Sequence, residues 1–337
     1  MTQNVTDFAR LVSGFLTDYL PLQRNYSKNT ILSYRDSLKL LIKFITDVKG
    51  IKLNQFSMNA FDRELIRDYL EWLRQCGSKV STTNQRLAAI KSFAEYAGIE
   101  SIENLASLQS VQAIKSKKQH QQEIIFMSVD ETRKLINYPD VNTINGLRHR
   151  VILTLLYDSG CRVQELCDLR ICDFTPSSNP TVRLHGKGTK YRTVIISVET
   201  GKLVSAYIDR HRKRSLKDQP LVTNRTGNKL TRDGVNHIIQ KYCEEIRKED
   251  PNFPKDIHAH SFRHSKAMHM LAAGINIIYI RDFLGHENIS TTMIYAKADN
   301  RLKAEAINKL APKVTEEEDL HDWLNDKELM SFLNSLK

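Results

Sequence analysis

Apolar side chains in the first 110 residues recur at helical spacing. After Ser27, a residue suited to cap a helix, Ile31, Tyr34, Leu38, Leu41, Ile42 and Ile45 fall on one face. Asp62 opens a second such stretch, with Leu65, Ile66, Tyr69, Leu70 and Leu73 aligned. Ser81 opens a further one carrying Leu87, Ile90, Phe93 and Ala97, and Gly98 is the expected stop. The pattern predicts an all-helical domain over 1–111. It breaks at 112–123, QAIKSKKQHQQE, which has a single isoleucine among basic and amide side chains and reads as a linker.

A second domain, 124–311, begins with the capping-box pattern Ser128-Val-Asp-Glu131 and a buried helical run from Val151 to Tyr157. Alternation then replaces helical spacing. Thr181 to Leu184 and Tyr191 to Val198 read as strands of a hairpin turned by GKGTK, with glycines where positive φ is needed. Helices are expected to return at about 199–214, 231–249, 259–273, 276–284 and 290–309. Tyr279, in an apolar helix, reads as core. The end of the chain, 312–337, combines an acidic start with Leu320, Trp323, Leu324, Leu329, Phe332, Leu333 and Leu336, an amphipathic helix whose apolar face needs a docking site. The fold expected is therefore mainly α, with one small antiparallel sheet.

Charge adds a partner to this picture. Lys and Arg number 50 against 39 acidic residues, a formal net charge of +11. The stretch from Ala311 to Lys337 is itself acidic, so the excess is concentrated in the preceding 310 residues. A basic body favours a polyanion, because each neutralised phosphate releases counterions. No run of about 18 apolar residues suggests a membrane span, and MTQNVTDFAR lacks the features of a secretory signal. Five cysteines without a C-x-x-C pair fit neither a zinc site nor a disulfide framework, and reduced thiols in a cytoplasmic protein are the simplest reading. No metal or other cofactor is expected.

The candidate chemistry lies in four separated stretches: Gly160-Cys-Arg162 with Glu165, the hairpin lysine Lys187, His260 with Arg263, and His286 followed by Tyr295. Cleaving a phosphodiester without metal requires neutralising two non-bridging oxygens, activating a nucleophile and protonating the leaving oxygen. Arginine forks suit the first task. His260 and Arg263, three apart, share one helix face, and His286 follows the helix terminator Gly285. A free tyrosine is about a thousandth ionised near neutral pH, so its neighbours must activate it. Read singly, each residue has a plainer explanation. Histidines near helix ends are mostly structural, which is how His258, His264 and His269 are read. Arg170 and Arg192 read as solvated or phosphate-contacting, and Lys187 competes with Lys190 in the same hairpin.

Taken together, SGCRVQELCDL, HGKGTKYR, HSFRH and LGHENISTTMIYA resemble the motifs of tyrosine recombinases of the phage-integrase family, closest in look to mobile-element integrases and Xer-type recombinases. NYSKNTILSYRDSLKLLIKFI and TTNQRLAAIKSFAEYA are similar to the family's SAM-like core-binding domain. The resemblance covers nearly the whole chain. It implies that Arg162, Arg263 and His286 hold the scissile phosphate, that Tyr295 attacks it to give a 3′-phosphotyrosine, that His260 is a base or orients the phosphate, that Lys187 is the general acid, and that Glu165 buttresses an arginine. It implies double-stranded DNA with paired recognition sites as partner. Arg86, Lys91, Lys115, Lys117, Lys118, Lys190, Arg192 and Arg232 are then candidate DNA contacts, with Arg232 or His237 on the helix from Thr231. It further implies a tetramer on DNA joined through the tail, and a cytoplasmic protein associated with the nucleoid. Transposon or integrative-element movement is the expected role, with chromosome or plasmid dimer resolution as the alternative. A type IB topoisomerase would act as a monomer, against the docking tail. A catalytically dead DNA-binding regulator would lack a catalytic position, and none is missing.

Overall fold

The computed structural model describes residues 6–118, 124–186, 190–212 and 216–298, with isolated positions 331 and 335. Lys187, His120, the 299–311 stretch and the tail on which docking was expected lie outside the described residues, apart from those two positions. The chain divides into two compact units, Met1–Gln122 and Glu123–Lys337.

The first unit is helical throughout its regular structure. Helix α1 (Asp7–Gly14) is capped by Thr6 and runs on as a π-helical segment, Phe15–Gln23. Pro21, which has no N–H to give, sits inside that segment. Ser27 caps α2 (Lys28–Lys43), its Oγ accepting from the Thr30 N–H at 3.3 Å, and Asp62 caps α3 (Arg63–Gln75) by accepting from the Leu65 N–H at 2.8 Å. Helices α4 (Val80–Glu100) and α5 (Leu105–Gln112) complete the unit. Leu38, Leu41, Ile45, Ile66, Tyr69, Leu87, Ile90 and Phe93 are buried as their periodicity requires, around an aromatic cluster in which Phe8 meets Phe56 edge-on at 4.8 Å.

Three boundaries differ from expectation. Helix α4 starts at Val80, before Ser81, and its N-cap Lys79 gives no side-chain cap. Gly98 does not end the helix, which continues to Glu100. A Cβ there would make an ordinary contact with Leu105 Cδ1 at 3.4 Å, so neither the space nor the backbone at this position demands glycine. The segment after Gln112 is not free of core contacts either. Ile114 is buried, and Asn84 clips the Lys117 backbone from both sides, donating to its carbonyl at 2.9 Å and accepting from its N–H at 3.1 Å.

In the second unit, Ser128 and Glu131 form the reciprocal capping box of α6 (Val129–Asn137). Thr143 caps α7 (Ile144–Asp158), which is buried along most of its length. Helix α8 (Val163–Asp168) leads to an antiparallel sheet of β1 (Phe174–Thr175), β2 (Thr181–His185) and β3 (Tyr191–Ile195), with Val182 opposite Val194 and Leu184 opposite Arg192. Strand β3 ends at Ile195 rather than Val198, because Ser197 turns the chain and caps α9 (Val198–His211). Helices α10 (Arg232–Glu249), α11 (Ala259–Ala272), α12 (Ile277–Leu284) and α13 (Ser290–Ala298) follow.

The buried Asp158 at the end of α7 locks three elements together. It accepts from the Ser197 N–H at 2.7 Å, the Thr200 hydroxyl at 2.8 Å and Lys266 Nζ at 3.0 Å. Burial opposes its charge, but Lys266 and these hydrogen bonds hold its carboxyl below the usual range. The Ser159–Gly160–Cys161–Arg162 turn therefore leaves a fixed anchor. Tyr279 is not core: it is 69% exposed, because α12 turns Ile280 and Leu284 inward and leaves Ile278 and Tyr279 outside.

Candidate active site

Two turns and two helices bring the described candidate residues together. Arg162 sits at the N-cap of α8, where its N–H donates to Glu165 Oε2 at 2.8 Å and its Nη1 to Glu165 Oε1 at 2.9 Å. Arg263, on α11, is 3% exposed and donates from Nη1 to the Gly160 carbonyl at 2.6 Å and from Nη2 to the Leu284 carbonyl at 2.7 Å. One guanidinium thus joins the turn before Arg162 to the end of α12. Gly160 and Gly285 have φ of 55° and 64°, left-handed values that expose these carbonyls and suit glycine. Gly285 ends α12 in that conformation and delivers His286, whose Nδ1 lies 2.8 Å from the buried Thr292 hydroxyl. With Thr292 donating, His286 Nε2 carries the proton and is a donor.

Tyr295 on α13 is 1% exposed, with its ring among Ala267, Met268, Leu271, Ile280 and Leu284. Its hydroxyl lies 2.9 Å from His264 Nδ1. His264, read from the sequence as structural, thus makes a direct contact with the candidate nucleophile. Four residues after His260 and one after Arg263, it shares the site-facing side of α11, and that i,i+4 spacing was the available signal. His258 and His269 do serve structure: His258 caps α11, and His269 bridges Tyr157 and the Met127 carbonyl. His260 is exposed beside this row, its ring 6.4 Å from that of His264, and makes no hydrogen bond to a described residue.

Arg192 also differs from expectation. It is not solvated: its Nη1 and Nη2 donate to the two Glu165 oxygens at 2.9 and 2.8 Å, and its Nε donates to the Phe283 carbonyl at 3.3 Å. Strand alternation explains this, since Arg192 shares the inward face of β3 with the buried Val194. Glu165 therefore holds two arginines rather than one. Burial works against its charge, yet Arg192 first and Arg162 next keep its carboxyl below the ordinary range.

The electrostatics are strongly positive. Burial first, then Arg162 and Arg192, lowers Arg263 to about 10, still protonated at neutral pH. Burial first, with Arg263 and Arg162 next, lowers His286 to about 4, and burial first, with His260 next, lowers His264 to about 4, so both rings are neutral at pH 7. His260, although its side chain reaches solvent, is lowered too, by partial burial first and by His258 next. Burial raises the Tyr295 phenol, with Arg263 opposing. Three arginines face one carboxylate here, an arrangement preorganised for added negative charge such as a phosphate.

The remaining candidates are dispersed. Lys190 is exposed and pairs with Glu287 at 2.8 Å, next to His286 in sequence. Arg232 is exposed at the start of α10. In the first unit, Arg86 and Lys91 are half-buried on α4, and Lys115, Lys117 and Lys118 are exposed after α5. Lys115 and Lys117 line a cleft of about 710 Å³ with Arg63, Arg67 and Arg74, basic residues on α3 that the sequence had not singled out.

Comparison with known proteins gives the same direction throughout. Residues 101–301 match the profile of the phage integrase family, and residues 14–100 match that of the phage integrase N-terminal SAM-like domain. A protein of Sinorhizobium fredii described as an integrase/recombinase, y4rC, is 30% identical over 339 residues, covering 100% of both chains. Tyrosine recombinase XerD of Staphylococcus epidermidis is 30% identical over 282 residues, 82% of this chain and 90% of its own. Among solved structures, the Tn1549 transposon integrase in complex with circular-intermediate DNA aligns with a TM-score of 0.67 at 16% identity, covering 88% of this chain and 98% of that one. The XerH recombinase on palindromic difH substrate aligns at 0.65 and 20% identity, covering 91% of each. These two establish likeness of fold.

Proposed function

The chain belongs to the phage integrase family, and on that premise we propose that Tyr295 is the nucleophile with which it cuts and rejoins DNA. As a member of the tyrosine recombinases it is an enzyme of site-specific recombination. The observation that carries the residue assignment is the Arg263 bridge to Gly160 and Leu284, which draws distant motifs to one place.

In this reading Arg162 and Arg263 neutralise the non-bridging oxygens of the scissile phosphate, and His286 donates from Nε2. The Tyr295 oxygen bonds to phosphorus as the bond to the 5′ oxygen breaks. The phenol gives up its proton to a base and the leaving oxygen gains one, from Lys187 as general acid. His260 orients the phosphate or serves as the base. The product is a 3′-phosphotyrosine and a free 5′ hydroxyl. Attack by another strand's 5′ hydroxyl reverses the step without ATP, because bond energy is kept in the ester.

The partner is duplex DNA, in keeping with the aligned transposon integrase, solved in complex with circular-intermediate DNA, and with XerH, solved on palindromic difH substrate. Both units supply basic side chains for its backbone, Arg86, Lys91, Lys115, Lys117 and Lys118 from one and Lys190 and Arg232 from the other. Movement of a transposon or integrative element is the favoured role, supported by the y4rC match along both full chains. Dimer resolution is the second reading, with the likeness to tyrosine recombinase XerD in its favour. Nicked suicide duplexes separate them. Adducts on DNA flanking the gene support the first; adducts on a chromosomal dimer-resolution site alone support the second. A tetramer joined by the tail is part of the same proposal. It predicts that a chain lacking residues 315–337 loses synapsis of two sites, and unchanged synapsis would dispose of that part.

A further inference from the structure

Of the three histidines on the site-facing side of α11 and its start, only His264 touches the phenol. The Tyr295 ring is gripped by apolar side chains from α11 and α12, and its hydroxyl meets a nitrogen 2.9 Å away. His260, the histidine of the His-x-x-Arg pair, makes no hydrogen bond to the phenol, and His286 is turned to Thr292. Because His264 is neutral at pH 7, its Nδ1 can accept from the phenol O–H, with the ring proton on Nε2. His264 is also placed by its surroundings. It follows Arg263, whose guanidinium is fixed to two carbonyls, and its ring meets that of Tyr295 with centroids 5.7 Å apart.

We infer that His264 is a positioning residue for the nucleophile: its Nδ1 accepts the Tyr295 hydrogen bond and so sets the direction in which the phenol oxygen presents its lone pairs to phosphorus. An apolar sleeve can hold the plane of a ring but cannot orient its O–H. That needs an acceptor of fixed position, and His264 is the one present among the described residues. The inference rests on Tyr295 being the nucleophile and adds a residue to that reading.

The test is single-turnover adduct formation by the full chain on a nicked suicide duplex. His264→Ala should slow adduct formation about a hundredfold, the scale of a misplaced reacting group, with duplex affinity unchanged. His264→Asn, whose Oδ1 can stand where Nδ1 stood, should recover at least about tenfold of that loss. A substrate with sulfur in place of the leaving 5′ oxygen departs without needing a proton. It should rescue Lys187→Ala and leave the His264→Ala defect in place. A wild-type rate for His264→Ala, no gain with asparagine, or rescue of His264→Ala by the sulfur substrate would each overturn the inference. Tyr295→Phe in parallel separates the two levels. Adducts from that variant remove the nucleophile reading itself, whereas an inert Tyr295→Phe beside a fully active His264→Ala removes only the role of His264.

Discussion

Glu165 grips Arg192 with both carboxylate oxygens, at 2.9 and 2.8 Å, and the same carboxylate holds Arg162 at 2.9 Å. A β-strand and the first arginine motif are thereby tied to one buried acid. Two guanidiniums this close repel unless the carboxylate lies between them. Removing one partner of a buried ion pair typically costs about 3–5 kcal/mol. Glu165→Ala should therefore lower unfolding stability by about 3 kcal/mol in urea melts and reduce DNA cleavage. Arg192→Ala should cost less stability, because Glu165 keeps Arg162. A Glu165→Ala variant as stable as the parent would show that the carboxylate is not the keystone described.

Gly285 is required twice. Its φ of 64° is unfavourable for any residue with a Cβ, and such a Cβ would lie 2.8 Å from Arg192 Cδ. Gly285→Ala should lose about 1–2 kcal/mol from the backbone alone, with more from the contact. In an Arg192→Ala background the second part should vanish while the first remains. A double-mutant cycle measures this, and strict additivity would mean that the contact carries no energy.

Acid should weaken the fold before its carboxylates titrate. His149, His264 and His286 are each lowered to about 4, by burial first and then by Arg148, His260 and Arg263 respectively, while in the unfolded chain they sit near 6.5. Between those values the unfolded state binds more protons, so stability falls as pH drops from about 6.5 towards 4. Asp158, Asp173 and Glu165 are held below their ordinary values, so their contribution is intact above that range and is lost only in stronger acid. The melting temperature should decline across pH 6.5 to 4, with a shallower slope in His149→Gln. A flat profile over that window would contradict the buried neutral histidines.

Most helices and the sheet were legible because their periods are strong and their caps chemically specific, as at Ser27, Asp62 and Ser128. The misread positions depend on neighbours distant in sequence. Gly98 reads locally as a stop, but the helix runs through it to Glu100, its end set by packing rather than by that residue. Tyr279 reads as core by composition, but apolar side chains outnumber the charged Arg281 and Asp282 on α12, and packing decides that Ile280 and Leu284 are the covered ones. In the site, the motif residues were readable as types in order. The grip of Glu165 on Arg192 exists only once β3 lies beside α8, and the approach of His264 to Tyr295, 31 positions apart, only once α13 lies against α11.

The account depends most directly on Tyr295 as the atom that receives the DNA. Full-length protein should be trapped on a nicked suicide duplex, digested with protease and sequenced by mass spectrometry. The account predicts a nucleotide joined through its 3′ phosphate to the peptide containing Tyr295, and no adduct from Tyr295→Phe, which should still bind the duplex. A 3′-phosphate ester on any other residue, or adducts persisting in the phenylalanine variant, would contradict it.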